Sequence, residues 1–274
     1  MITPSDTRLQ SVLVRSLPLF RAEMPAETAR RAGLVFTTRK GGVSEGPFSA
    51  LNLSPHVGDD VEAVTANRRR VARALGAPGR SMVSLLQVHG TRVVEFPEAD
   101  REGGRAQADG VIVRPHRDRG VAVALLYADC VPVVLVGEED VAILHCGWKG
   151  LLAGVIASGA RALAERPRMA FIGPSIGPCC YEVGSELAAA FSERFGPDVV
   201  GEGPRLDLWA SASRALEEAG LERGSVVNGR LCSHCLPDLF YSHRREGPAT
   251  GRHGAVVYTH GGERVEQAPR DGWS

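Results

Sequence analysis

Between residues 110 and 145 the chain crowds four short runs of Val, Ile, Leu and Ala, at 110–113, 121–126, 132–136 and 141–145. Runs this short and this continuously apolar read as buried strands rather than as one amphipathic surface, and they demand cover from other layers. Further β-like runs at 34–38, 82–88, 92–96, 169–172, 225–228 and 255–259 extend the set. Helical patterns stand between them. Asp59 or Asp60 can cap a helix over 61–75, with Val61, Val64, Val71 and Leu75 at helical spacing and Gly76 as its stop. Others are predicted over 151–164, 182–195 and 207–219. Strands and helices alternate only in the second half, so the expected fold is a mixed-sheet α/β sandwich, one domain, rather than a doubly wound sheet. Residues 1–31 read as a weakly patterned N-terminal lead-in, 32–262 as the domain and 263–274 as a C-terminal tail. Loops are expected at 44–59, 98–108 and 244–252.

Composition narrows the function classes. The 274 residues carry 32 basic and 32 acidic side chains, so there is no net charge to favour nucleic acid or an anionic membrane surface. The apolar runs are too short to cross a bilayer, and no basic segment followed by a long apolar stretch opens the chain. Six cysteines are too few for a disulfide scaffold. A reduced, cytoplasmic setting is expected, with monomer and homodimer both open. There, each cysteine is core, metal ligand or nucleophile.

His89, Cys130 and His145 each close an apolar run and precede a turn-forming residue, the position at which α/β scaffolds expose reactive groups. Two imidazoles and a thiolate are three zinc ligands, which leaves the fourth vertex for water or substrate. The alternative is a buried strand cysteine flanked by two capping histidines. Asp129, beside Cys130, is a candidate proton shuttle or a turn carboxylate. Adjacent strand residues face opposite ways, so a regular strand admits only one of Asp129 and Cys130 to the site. Arg39 and Ser44, in the glycine-bearing loop R-K-G-G-V-S at 39–44, are candidate phosphate contacts, or else belong to a plain turn. No Walker loop and no G-x-G-x-x-G following a strand occurs. Arg244, Arg245 and Arg252 cluster near one loop and either hold an anion or form a solvated face. Cys179-Cys180, ahead of a helix, would be acidified by the helix start, or else are two packed thiols in a tight loop. C-S-H-C at 232–235 is half a zinc knuckle, and with no second C-x-x-C in the chain it reads as a structural pair.

These segments, with L-N-L at 51–53, V-G-D-D at 57–60, A-D-G at 108–110, Y-E-V-G at 181–184 and S-H-R-R-E at 242–246, run in the order found in the YfiH family. That family also carries the labels polyphenol oxidase, laccase domain and purine nucleoside phosphorylase. The chain resembles it over roughly 34–258. The resemblance implies a single α/β sandwich similar to a cysteine-hydrolase-like toxin fold. It implies zinc held by His89, Cys130 and His145, with Asp129 and Cys130 catalytic. It also implies phosphorolysis of adenosine, inosine, guanosine and methylthioadenosine, with adenosine deamination as a second activity. Some members are described as guarding peptidoglycan precursor synthesis. Arg39, Ser44, Asn52, Lys149 and Arg245 are the candidate substrate contacts. Two positions depart from the family pattern: Cys146 stands where Ala is usual, and Lys149 where Arg is usual, which removes a bidentate fork. Two rivals use the same residues. One is a copper oxidase of phenols, disfavoured because the eight histidines include no H-x-H pair. The other is a metal-free cysteine hydrolase with Cys130 as nucleophile.

Overall fold

The central strands bury both faces, and this decides the layering. The computed structural model describes residues 8–77, 82–101 and 106–261. Among them the strands are β1 (Leu9–Val14), β2 (Leu17–Ala22), β3 (Ala32–Thr37), β4 (Val93–Glu95), β5 (Gly110–Val113), β6 (Ala122–Tyr127), β7 (Val131–Val136), β8 (Val141–Cys146), β9 (Met169–Ile172), β10 (Val226–Asn228) and β11 (His253–Thr259). The helices are α1 (Ala26–Ala29), α2 (Val61–Ala74), α3 (Phe96–Arg101), α4 (Trp148–Ala153), α5 (Val155–Ala162), α6 (Ser185–Phe195), α7 (Leu208–Glu218) and α8 (His243–Glu246). One sheet has the order β1-β2-β3-β11-β6 and is antiparallel throughout. The other has the order β10-β9-β7-β8-β5-β4, with parallel pairs at its two edges and antiparallel pairs between.

Strand alternation sorts the side chains into three cores. Phe36, Val123, Leu125 and Val257 of the first sheet meet Val111, Val134, Ile143 and Phe171 of the second. The outer face of the first sheet, with Val35, Ala124 and Val256, packs under Val71 of α2. The outer face of the second, with Val133, Leu135 and Leu144, packs under α4–α7 through Leu151, Val155, Phe191 and Leu216. The result is a single mixed α/β domain with four layers: helix, sheet, sheet, helices. None of the described helices is long and apolar enough to cross a membrane.

Several expectations change in detail. Residues 9–22, read as a weakly patterned lead-in, are β1 and β2, and β2 pairs with β3 from Leu19↔Thr37 to Ala22↔Leu34, so the sheet begins before residue 32. The opening residues 1–7, the whole of the expected C-terminal tail (263–274) and part of the loop at 98–108 lie outside the described residues. The run at 82–88 is extended but makes only isolated bridges, at Val83 and Leu86. There the Gln87 side chain replaces a ladder, accepting from Leu126 N–H at 2.8 Å and donating to Leu126 C=O at 2.8 Å. Helix α2 keeps its expected cap, with Asp60 accepting from Ala63 N–H at 2.8 Å, but Val61 is 66% exposed in the first turn and lies off the apolar face. The expected helix over 151–164 starts earlier and breaks at Gly154, whose φ of 88° lies in the left-handed region open to glycine.

β11 begins at a fully buried imidazole. His253 lies 5.2 Å from the Phe240 ring, its Nε2 faces Pro174 C=O, and its Nδ1 has no partner. Burial pulls its pKa down to about 4. The folded state therefore prefers the neutral ring, and its contribution is complete above the ordinary value of 6.5 and lost as pH falls from there to about 4. Urea titrations are expected to show wild type losing on the order of 3 kcal/mol across that window. The variant His253→Gln should lack that component. Parallel pH profiles for the two proteins would contradict the assignment.

Candidate metal centre

Four separate segments, carrying His89, Asp109, Cys130 and His145, converge on one point. His145 is the penultimate residue of β8. Its neighbour Cys146 takes the opposite face, enters the helix-side core fully buried, and its thiol is pushed well up by burial, so it is a neutral packing group. His145 turns the other way, 5.6 Å from the Tyr127 ring, whose hydroxyl donates to Leu144 C=O at 3.0 Å. His89 comes from the turn after the extended 82–87 segment and has a φ of 61°. Cys130 directly precedes β7 and follows Asp129, whose φ is 91°. The strand is not regular there, so the alternation expected of Asp129 and Cys130 does not apply.

Both left-handed residues are pinned by carboxylates, which offsets backbone strain of about 1–3 kcal/mol each. For His89 the anchor is Asp109, fully buried just before β5. Its Oδ1 accepts from His89 N–H at 2.9 Å and from His145 Nδ1 at 2.8 Å. Its Oδ2 accepts from Gly90 N–H at 2.6 Å and from Val88 N–H at 3.2 Å. Burial pushes the Asp109 carboxyl up, but the bonds from His145 and the two amides outweigh it and hold it ionised. An ionised acceptor places the His145 proton on Nδ1 and frees Nε2 toward Cys130 and His89. Sequence reasoning missed this role for Asp109; the A-D-G at its position was read only as part of a motif.

The ligand atoms of His89, Cys130 and His145 lie within 4.8 Å of one another, with His89 Nε2 3.7 Å from Cys130 Sγ. A tetrahedral zinc site places its donors about 3.3–3.8 Å apart, so these donors fit an ion with small side-chain adjustment. His89 is exposed and Cys130 half-buried, so the trio can be reached from solvent. Burial pushes the Cys130 thiol up, but the charge of His145 and hydrogen bonds from both imidazoles bring it below its ordinary value. Burial pushes His145 down, and Cys130 and Asp109 together raise it.

Gly147 makes the approach possible. A Cβ there would stand 2.7 Å from His89 Cδ2 and 3.2 Å from Cys130 Sγ. Gly147→Ala is expected to push the ligands apart and lower the affinity of this centre for metal roughly tenfold or more, on the scale of disturbed ligand support. Wild-type affinity of this centre in that variant, measured by metal titration, would count against the site.

The other candidates are placed as follows. Asp129 Oδ1 accepts from the Ser233 hydroxyl at 2.7 Å and Oδ2 from Arg244 N–H at 2.6 Å, so its carboxylate tethers two loops behind Cys130. Ser44 donates to Asp59 at 2.6 Å and accepts from Asn67 at 2.9 Å. Asn52 donates to Asp59 at 2.8 Å and accepts from Arg252 N–H at 2.9 Å. Both are buried and shape the 39–59 loop from inside. Arg39 donates to Ser49 and Pro237 carbonyls and to Glu246 at 2.7 Å, lying 4.5 Å over the Tyr241 ring. Arg245 donates to Ser233, His234 and Phe240 carbonyls and to Glu246 at 3.0 Å. Burial raises the Glu246 carboxyl, but Thr250, Arg245 and Arg39 hold it down at about 2. Lys149 is exposed, its ammonium 5.4 Å from the Trp148 ring. Arg252 was noted only as part of a cluster. Burial pulls its pKa down and the charges of Cys130 and Asp129 oppose this, and its side-chain bonds, to Thr250 and Gly251 carbonyls, leave from Nη1. Cys179 and Cys180 do not start a helix, since α6 begins at Ser185, and both thiols are raised rather than acidified, Cys180 to about 11, by burial and then by Cys235.

Fold and site define a class: a four-layer α/β sandwich with an open centre of two histidines and a cysteine. The chain belongs to the YfiH/YlmD family, whose family model, described as multi-copper polyphenol oxidoreductase laccase, matches residues 33–260. It is 34% identical over 255 residues to purine nucleoside phosphorylase YlmD of Geobacillus stearothermophilus, covering 85% of this chain and 91% of that one. It is 32% identical over 231 residues to purine nucleoside phosphorylase YfiH of Escherichia coli, covering 81% and 91%. The crystal structure of the Geobacillus YlmD superposes with a TM-score of 0.80 at 30% identity, over 95% of this chain and 99% of that one. A Neisseria meningitidis protein superposes with a TM-score of 0.76 at 35% identity, over 89% and 99%.

Proposed function

We propose that this chain is a zinc-dependent purine nucleoside phosphorylase, acting on adenosine, inosine, guanosine and methylthioadenosine, with adenosine deamination as a second activity. The observation that carries the reading is the convergence of His89, Cys130 and His145, oriented by Asp109, in a chain whose relatives bear that name. When bound, zinc supplies Lewis acidity at the open vertex. The chain's own groups do the rest. Asp109 keeps the His145 proton on Nδ1 and the His89 turn in place. Arg252, half-buried and within electrostatic reach of Cys130, holds the phosphate, with Lys149 as a second cation at the rim. Val88 and Trp148, exposed apolar side chains flanking the ligand segments, offer a surface on which a purine can stack. Asp129 acts as a positioning residue through Ser233 and Arg244. Phosphate oxygen then attacks C1′ as the bond to the purine nitrogen breaks, and the proton given up by the phosphate passes to that nitrogen of the leaving base.

The test is chromatographic. Zinc-loaded protein should release free base and ribose 1-phosphate (from methylthioadenosine, its 5-methylthio derivative) only when phosphate is present. Absence of turnover with every purine nucleoside would remove the reading. The same two-histidine, one-cysteine donor set also suits copper, and this keeps a copper-dependent phenol oxidase as the second reading. Stoichiometric copper, a strong visible thiolate band and phenol oxidation would favour it. Activity untouched by chelators, with Cys130 alkylation abolishing it, would instead favour the metal-free cysteine hydrolase.

A further inference from the structure

The fold brings together a second sulfur cluster outside the open centre. Cys179 and Cys180 follow the G-P-S-I-G-P loop after β9, in a turn closed by Cys180 N–H and Tyr181 N–H on Gly177 C=O at 3.0 and 3.1 Å. Cys232 and Cys235 form the C-x-x-C turn after β10, closed by Leu236 N–H on Cys232 C=O at 3.1 Å. All four sulfurs lie within 4.8 Å of one another. Cys235 Sγ is 3.3 Å from Cys180 and 3.5 Å from Cys179. Four sulfurs around one zinc at about 2.3 Å stand about 3.8 Å apart along each tetrahedral edge, so the cluster has the size of a closed tetrathiolate cage. A disulfide needs about 2.05 Å, and all six cysteines are free. Cys232, the buried member, receives backbone N–H bonds from Gly177, at 3.3 Å, and from Cys235. Amides aimed at sulfur across a C-x-x-C turn are the outer support that metal-bound thiolates need.

We propose that Cys179, Cys180, Cys232 and Cys235 bind one structural zinc ion. The sequence lacks a second C-x-x-C, and the missing pair is supplied by two adjacent cysteines from another loop. The ion staples the two loops that buttress the open centre. Ile176 N–H donates to Asp129 C=O at 3.0 Å from one loop, and the Ser233 hydroxyl reaches the Asp129 carboxylate at 2.7 Å from the other. Asp129 in turn positions Cys130. The staple thus acts on the metal centre through backbone placement, without touching it. A d¹⁰ ion with four thiolates and no open vertex performs no chemistry of its own.

The test uses the full chain, purified anaerobically with zinc and passed through gel filtration. The double variant His89→Ala, Cys130→Ser leaves the open centre with a single ligand and all four cage cysteines in place. It should retain one equivalent of zinc, with X-ray absorption showing only sulfur neighbours at about 2.3 Å. Cobalt substitution in the same variant should give the intense visible bands of tetrahedral sulfur ligation. Cys235→Ser, at an exposed position, should lose that equivalent in the double-variant background. Zinc well below one equivalent, nitrogen or oxygen in its shell, iron in its place, or a disulfide among the four cysteines by mass spectrometry would each overturn the proposal. The open centre and its activity are absent from this variant, so the result is independent of the function proposed above.

Discussion

Asp109→Asn is expected to lower zinc affinity at the open centre by 10–100-fold, the usual effect of losing a carboxylate behind a ligating histidine. The carboxylate is fully buried and accepts four hydrogen bonds, from His145 and from the amides of 88, 89 and 90. An amide side chain has one accepting oxygen, so its NH₂ must face either His145 Nδ1 or the N–H groups of the turn. In the first case the imidazole flips its proton to Nε2 and loses its lone pair for the ion. In the second the His89 turn, left-handed at φ 61°, is released. Asp109→Ala leaves all four donors without an acceptor and is expected to reduce stability by about 3–5 kcal/mol. Zinc titrations and urea unfolding read the two effects separately. Wild-type zinc affinity in Asp109→Asn would show that the histidine does not depend on this partner.

Cys130→Ser should abolish zinc binding at the open centre, because a serine hydroxyl stays protonated where the thiol is already drawn toward thiolate by His145 and His89. Loss of the ion removes several kcal/mol of transition-state stabilisation, so phosphorolysis should fall by about 10³-fold or more. Chelation of wild type must produce the same loss, and zinc restores wild type but not the variant. A Cys130→Ser protein that still turns over nucleosides at near wild-type rate would sink the metal-centred reading.

The strands were legible because they are long enough, apolar enough and bounded by turn residues. Residues 110–113 and 169–172 coincide with β5 and β9. The run at 82–88 was not a strand, because a glutamine side chain takes the bonds a neighbour would have made. Strands β1 and β2 are short, Pro18 and Arg21 interrupt the apolar run of β2, and the two are ordered by pairing with each other and, through β2, with β3. The ligand trio was visible as reactive residues at the ends of apolar runs. The phosphate loop was not what its glycines suggested, since Ser44 and Asn52 point into an internal network with Asp59 and Asn67.

Local chemistry in the chain settled which segments are apolar, where they stop, and which side chains can hold a metal. Hydrophobic period, turn residues and ligand type are properties of a few consecutive residues, so they survive without coordinates. Convergence was decided by tertiary structure alone. Asp109 became the hinge of the open centre, and two cysteine pairs more than fifty residues apart became one cage, because hydrogen bonds and ligand geometry depend on distances set only when sheets and helices pack.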